Sequence, residues 1–167
     1  FVEVPETHTN RRDDLGQNMG MASFTIEHTY SGPGRYLIRY AEPFRNGDVL
    51  NLDSPLNTMF YIETSIIIDP FIGCDNAPLL LVPPIDKACT GAAWFHNPGA
   101  YDLDGDSLSY ELVVPLMEKS TPVATYRFPN VKEFYDRAGI TYATANEEGT
   151  DTPDFKIDPK SGTITWD

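Results

Sequence analysis

Basic residues are scarce in this chain of 167 residues. Twelve Lys and Arg stand against twenty-five Asp and Glu, which leaves a formal net charge of −13. This balance is the opposite of the basic surface that binds nucleic acids, and anionic membrane surfaces repel it. We therefore expect no nucleic-acid partner and no direct membrane insertion.

Long apolar runs are also missing. No run approaches the roughly 18–20 apolar residues that a transmembrane helix needs. The first residues, from Phe1 onward, have neither the basic start nor the apolar core of a signal peptide. We expect the chain to be a fragment of a longer protein, with any targeting signal outside it.

Catalytic motifs are absent from the sequence. His8, His28 and His96 are far apart, and none has a spacing typical of metal ligands. Ser31 and Ser161 each precede a glycine but do not lie in a nucleophile-elbow pattern. No phosphate-binding loop or dinucleotide fingerprint occurs. The sequence therefore predicts a protein that is not an enzyme.

Only two cysteines occur, Cys74 and Cys89, and they do not form a C-x-x-C pair, which argues against zinc and redox motifs. We predict a disulfide between them. It would close a loop of about 15 residues, worth around 3 kcal/mol in the chain-entropy model. Such a bridge would place the protein in an oxidising compartment, the periplasm or the cell exterior. The alternative, two unrelated buried thiols, stays open.

Helical periodicity is almost absent, whereas alternating apolar and polar residues recur between turns rich in Gly and Pro. This pattern predicts an all-β fold of two tandem β-sandwich modules, residues 1–73 and 78–167, joined by a proline-rich crossing. The predicted elements include a hairpin over residues 22–40, strands over 59–68, 94–95 and 108–116, a helical turn near 133–135 and a terminal hairpin over 155–166.

Three carboxylates lie on alternate residues just before the strand predicted at 108–116: Asp102, Asp104 and Asp106. Like charges this close repel unless water or a cation separates them, and calcium prefers oxygen ligands of this kind. An EF-hand loop is excluded, because its twelfth position would be Val113 and a strand pattern follows. The alternative is a solvated Asp-Gly turn.

Three stretches resemble parts of a cadherin-like repeat. Residues 75–78 (Asp-Asn-Ala-Pro) are similar to the linker before such a repeat, residues 100–110 to its aspartate-rich segment, and residues 155–164 to its last hairpin. Most of residues 23–167 is also similar to bacterial surface proteins associated with gliding motility. In those surface proteins, a segment similar to residues 28–34 precedes a segment similar to residues 60–64.

The resemblance implies an immunoglobulin-like module over residues 1–73 followed by a cadherin-like module over residues 78–167. It also implies calcium between the modules, held by the side chains of Asp75, Asn76, Asp102 and Asp104, with Asp106 as an added ligand.

The function that it implies is a structural or adhesive module of a large bacterial cell-surface protein, outside the cell. Its partners would be other surface proteins or glycans and neighbouring repeats of the same polypeptide. An alternative is a carbohydrate-binding accessory module in which Trp94 and Trp166 stack on sugar. Large aromatic residues in small sandwiches are, however, more often part of the core.

The predicted Cys74–Cys89 bridge can be tested by titrating thiols in the unreduced, denatured protein. We expect almost no reactive thiol before reduction and two after it. Two reactive thiols before reduction would contradict the bridge.

Overall fold

The computed structural model describes residues 6–11, 20–73 and 75–167. The fold is rich in β-structure, with 29% of residues in strands and 9% in helices. The chain divides into two compact units, Phe1–Pro33 and Gly34–Asp167. In the first unit, strands β1 (Glu6–Arg11) and β2 (Gly20–Phe24) pair antiparallel.

The second unit contains nine strands and one α-helix among the described residues. The strands are β3 (Gly34–Glu42), β4 (Phe60–Ile68), β5 (Leu79–Leu80), β6 (Trp94–His96), β7 (Ala100–Tyr101), β8 (Leu116–Glu118), β9 (Thr121–Pro122), β10 (Phe155–Ile157) and β11 (Ile164–Trp166). The helix α1 spans Lys132–Ala138, and two 3-10 turns lie at Pro55–Asn57 and Tyr142–Thr144.

Strands β3 and β4 form a long two-stranded ribbon in which nine residues of each strand pair in register. Branched and aromatic residues fill both strands, as expected of a sequence with high β-propensity. Arg39 lies directly opposite Glu63, which places opposite charges across the ribbon. The strand predicted over residues 59–68 is confirmed.

A three-stranded sheet in the order β10-β11-β6 holds the main aromatic cluster. Trp166 on β11 meets Phe134 of α1 at a ring distance of 5.8 Å and Phe155 of β10 at 6.2 Å, both edge to face. Its indole N–H donates to the hydroxyl of Tyr135 over 2.9 Å. The predicted terminal hairpin and the strand at Trp94 are confirmed.

Helix α1 is short and has a defined end. Gly139 follows it in the left-handed region with φ of 70°, and the N–H of Ile140 donates to the carbonyl of Tyr135 over 3.0 Å. Glycine is favoured there because it has no Cβ to oppose a positive φ. The helical turn predicted near residues 133–135 is therefore confirmed, and it buries Phe134 and Tyr135.

Two predicted elements are wrong. The hairpin over residues 22–40 does not form, since β2 pairs with β1, residues 25–30 lie outside strands and β3 pairs with β4. The strand over residues 108–116 is replaced by a segment without strand structure that ends where β8 begins at Leu116. Pro115 lies inside that segment and has no N–H to donate to a strand ladder.

The predicted boundary between the two modules falls within the unit Gly34–Asp167. Residues on both sides of that boundary contact each other: the guanidinium of Arg45 donates to the carbonyl of Leu116 over 2.9 Å, and the N–H of Arg127 donates to the carbonyl of Asn51 over 2.6 Å. The division into modules 1–73 and 78–167 stays a prediction.

Replacing Gly162 by Ala should destabilise the fold more than replacing Gly105 by Ala. Both glycines have left-handed backbones, with φ of 73° and 82°, which costs an L-residue roughly 1–2 kcal/mol. A Cβ on Gly162 would also lie 2.7 Å from the ring of Tyr110, whereas one on Gly105 meets nothing within 4 Å. This overpacking should add about 1–3 kcal/mol.

Urea unfolding of both variants measures the difference. Equal losses of stability in the two variants would show that the ring of Tyr110 does not pack on the turn as described.

Candidate functional site

The aspartate segment forms a turn that is closed by its first carboxylate. Asp102 is buried, with 7% of its surface exposed. Its Oδ1 accepts the backbone N–H groups of Asp104 over 2.9 Å and of Asp106 over 3.2 Å. An aspartate that accepts from N–H groups farther along the chain is a common way to close a turn. Gly105 supplies the left-handed residue that the turn needs.

The second carboxylate of the segment binds a residue of the predicted linker. Asp104 accepts the backbone N–H of Asn76 over 2.6 Å, and both of its oxygens lie 3.1 Å from Asn76 Nδ2. These hydrogen bonds join residues 28 positions apart in the chain. Hydrogen bonds to an ionised acceptor are stronger than those between neutral groups.

The structure brings together some of the predicted metal ligands. Asn76 and Asp104 meet, and the carboxylate of Asp102 faces the backbone of Asp104 and Asp106. In the described parts of the chain, no group of three or more His, Cys, Asp or Glu side chains is arranged to hold a metal ion. Asp75 and Asp106 are exposed. Calcium binding by these residues stays a prediction.

The predicted disulfide also stays a prediction. Cys89 is exposed and lies outside any disulfide in the structure. Cys74, its predicted partner, lies outside the described residues.

The two tryptophans lie opposite each other on β6 and β11. Trp166 packs in the aromatic cluster of α1 and β10, and Trp94 stacks on His96 with the two rings 5.6 Å apart and nearly parallel. The indole nitrogen of Trp94 is buried and finds no hydrogen-bond partner in the described structure. Both rings thus pack against neighbours, and both also line a cavity of about 460 Å³ together with Tyr135.

A second site, which the sequence analysis missed, lies where β3 leads into the following loop. A cavity of about 510 Å³ opens there between residues 40–52, the start of β4, and residues 115 and 126. This volume falls within the range of about 300–1,000 Å³ typical of small-molecule sites. The local signal in the sequence is the run Phe44-Arg45-Asn46, which begins two residues after β3 ends at Glu42. The other side chains come from distant positions.

Arg45 organises this cavity. Its Nε donates to the carbonyl of Met59 over 3.1 Å, its Nη2 donates to that of Leu116 over 2.9 Å, and its guanidinium lies 5.4 Å from the ring centroid of Phe60. Partial burial of Arg45 lowers the pKa of its guanidinium, although an arginine stays charged in proteins. No carboxylate in the described structure forms an ion pair with Arg45.

The loop that lines the cavity is held by ion pairs of Asp53. Its carboxylate lies 3.2 Å from Nη2 of Arg127 and also pairs with Arg137. The hydrogen bonds from Arg127, followed by those from Arg137, lower the pKa of Asp53 below its usual value of 3.8. The backbone N–H of Asp53 also donates to Oγ1 of Thr125 over 3.2 Å.

Comparison with known proteins yields no match to any family model, curated protein or solved structure. Within residues 6–11, 20–73 and 75–167, no helix combines the length and apolar character needed to cross a membrane.

The ion pairs of Asp53 predict a pH dependence of stability. Because the folded pKa lies below the unfolded value of about 3.8, the charged carboxylate stabilises the fold above that pH and loses this effect as the pH falls through the folded pKa. Asp53→Asn should therefore be less stable than the wild type at pH 6. The difference should shrink below about pH 4 and also in 1 M salt, since half-exposed pairs are screened.

Thermal melts of the two proteins from pH 2 to pH 7 measure this difference. Asp48→Asn is the matched control, because Asp48 is an exposed aspartate of the same loop with no ion pair in the described structure. A gap between wild type and Asp53→Asn that persists unchanged at pH 2 would show that the charge of Asp53 is not what stabilises the loop.

Proposed function

We propose that this chain is a non-catalytic structural or adhesive part of a large bacterial cell-surface protein. In this proposal, an immunoglobulin-like sandwich over residues 1–73 and a cadherin-like sandwich over residues 78–167 are joined by the linker near Asn76, and calcium stabilises the aspartate segment. The chain would act outside the cell, alongside neighbouring repeats of the same polypeptide.

The observation that carries the proposal is the contact between Asn76 and Asp104. The resemblance to cadherin-like repeats implies that the linker and the aspartate segment share one site, and the two side chains meet within hydrogen-bond distance. The β-rich fold with little helix is also consistent with sandwich modules. A linker fastened to its following module restricts rotation between modules, which suits a protein that transmits load.

The predicted ligands have the oxygen atoms that calcium prefers. Asp75, Asn76, Asp102, Asp104 and Asp106 offer only oxygen ligands, which a hard cation prefers. The buried carboxylate of Asp102 has no Lys or Arg within ion-pair distance in the described structure, so a cation there would offset an otherwise unbalanced charge. Calcium would supply that charge and would draw the exposed carboxylates of Asp75 and Asp106 toward the turn.

Without calcium, hydrogen bonds alone hold the same residues. Asp104 then acts as an acceptor for Asn76, and Asp102 closes the turn. The two possibilities differ in what the charge of Asp104 does: calcium binds more tightly to a carboxylate than to a neutral amide oxygen, whereas the hydrogen bond to the backbone N–H of Asn76 needs only an oxygen. An Asn at position 104 keeps the oxygen and removes the charge.

We expect calcium to raise the melting temperature of the wild type and to raise that of Asp104→Asn less, because the variant keeps an oxygen ligand but loses its charge. Extracellular modules bind calcium at about 10⁻⁴–10⁻³ M. At 10 mM calcium the stabilisation should then be about 1.4–2.7 kcal/mol, a shift of several degrees for a chain of this size. Differential scanning calorimetry in 10 mM calcium and in excess chelator measures this shift.

Asp158→Asn is the matched control for this experiment. Asp158 is also a turn aspartate whose Oδ1 accepts two backbone N–H groups, from Lys160 over 2.9 Å and from Ser161 over 2.7 Å, but it belongs to the terminal hairpin. This variant should keep the full calcium response. If the wild type melts at the same temperature with calcium and with chelator, the segment is a hydrogen-bonded turn and the calcium part of the proposal is wrong.

A further inference from the structure

We infer that the cavity beside Arg45 binds a neutral saccharide. This site goes beyond the structural function proposed above and gives the carbohydrate-binding alternative a location away from the two tryptophans. The residues that carry the inference are Tyr40, Glu42, Phe44, Arg45, Asn46 and Phe60.

Three aromatic side chains around this cavity are at least one-third exposed. Phe44 has 65% of its surface exposed, Tyr40 43% and Phe60 36%. The rings of Tyr40 and Phe60 meet edge to face at 6.4 Å. Clustered exposed aromatic residues next to a concavity mark a binding surface. Their flat apolar faces suit the C–H face of a sugar ring.

The polar groups of the cavity supply both donors and acceptors. Arginine has five N–H donors, and Arg45 uses two of its nitrogens on backbone carbonyls, so further N–H groups remain for a ligand. The carboxylate of Glu42 accepts the hydroxyl of Tyr40 through one oxygen. The amide of Asn46, on the exposed loop, both donates and accepts. Sugar hydroxyls also both donate and accept, so they can match every group in this set.

Charge favours a neutral sugar over an acidic one. Within the cavity the positive charge of Arg45 is balanced by the negative charge of Glu42, and the chain as a whole carries a net charge of −13. An anionic ligand would gain little from one balanced guanidinium and would be repelled by the surrounding protein.

The cavity is also held in place before a ligand arrives. Arg45 is fixed by carbonyls of Met59 and Leu116, and Asn51 Nδ2 donates to the carbonyl of Arg127 over 3.0 Å. Leu52, which lines the cavity, is buried. Preorganisation of this kind lowers the entropy lost on binding.

The test is a glycan array of neutral and acidic oligosaccharides probed with the full chain, followed by NMR titration with the strongest neutral ligand. We expect neutral glycans to bind and to shift the amide resonances of residues 40–42, 44–46 and 60. Phe44→Ala should weaken binding about tenfold, because the variant removes an aromatic ring that stacks on the sugar.

Phe71→Ala is the matched control, because Phe71 is 95% exposed and lies outside the cavity. It should bind the same glycan as tightly as the wild type does. Neither variant should alter the calcium response, so failure here and failure of the structural proposal can be told apart.

Three outcomes would overturn the inference. These are binding of acidic glycans alone, absence of any glycan binding at millimolar concentration, and resonance shifts located around Trp94 and Trp166 instead of around Phe44.

Discussion

The contacts between residues 45–53 and residues 116–137 are the constraint on which the second unit depends. One carboxylate, that of Asp53, pairs with both Arg127 and Arg137, while Asn51 and Arg127 exchange hydrogen bonds with each other's main chain. These interactions join positions more than 70 residues apart. They hold the loop after β3 against the rest of the unit, and that loop carries Phe44, Arg45 and Asn46.

Polar contacts matter here because few apolar side chains are fully covered. Among the described side chains, the buried hydrophobic residues are Leu52, Tyr61, Val123, Phe134 and Tyr135. Hydrophobic burial is the main force in folding, so a limited core leaves turns and ion pairs a larger share of the stability. The Asp102 turn and its link to Asn76 belong to this polar framework.

The two wrong strand predictions have physical explanations. Residues 108–116 alternate well, but Pro115 cannot join a ladder, and the N–H of Tyr110 donates instead to the carbonyl of Pro159 in the last hairpin turn. The sequence around residues 31–34 has the composition of a turn, yet β3 pairs with the distant β4 over nine residues. A local turn signal could not reveal that a longer and better matched partner strand lies farther along the chain.

The sequence alone determined the β-rich class, the strand at 59–68, the terminal hairpin and the helical turn at 133–135, because local alternation, Gly and Pro encode these features. The resemblance had implied that Asn76 and Asp104 share a site, whereas tertiary structure decided which strands pair and that Arg45 lines a cavity with Glu42 and Phe60. Those features depend on hydrogen bonds and ion pairs between distant positions, and such pairings leave no periodic trace in a single sequence.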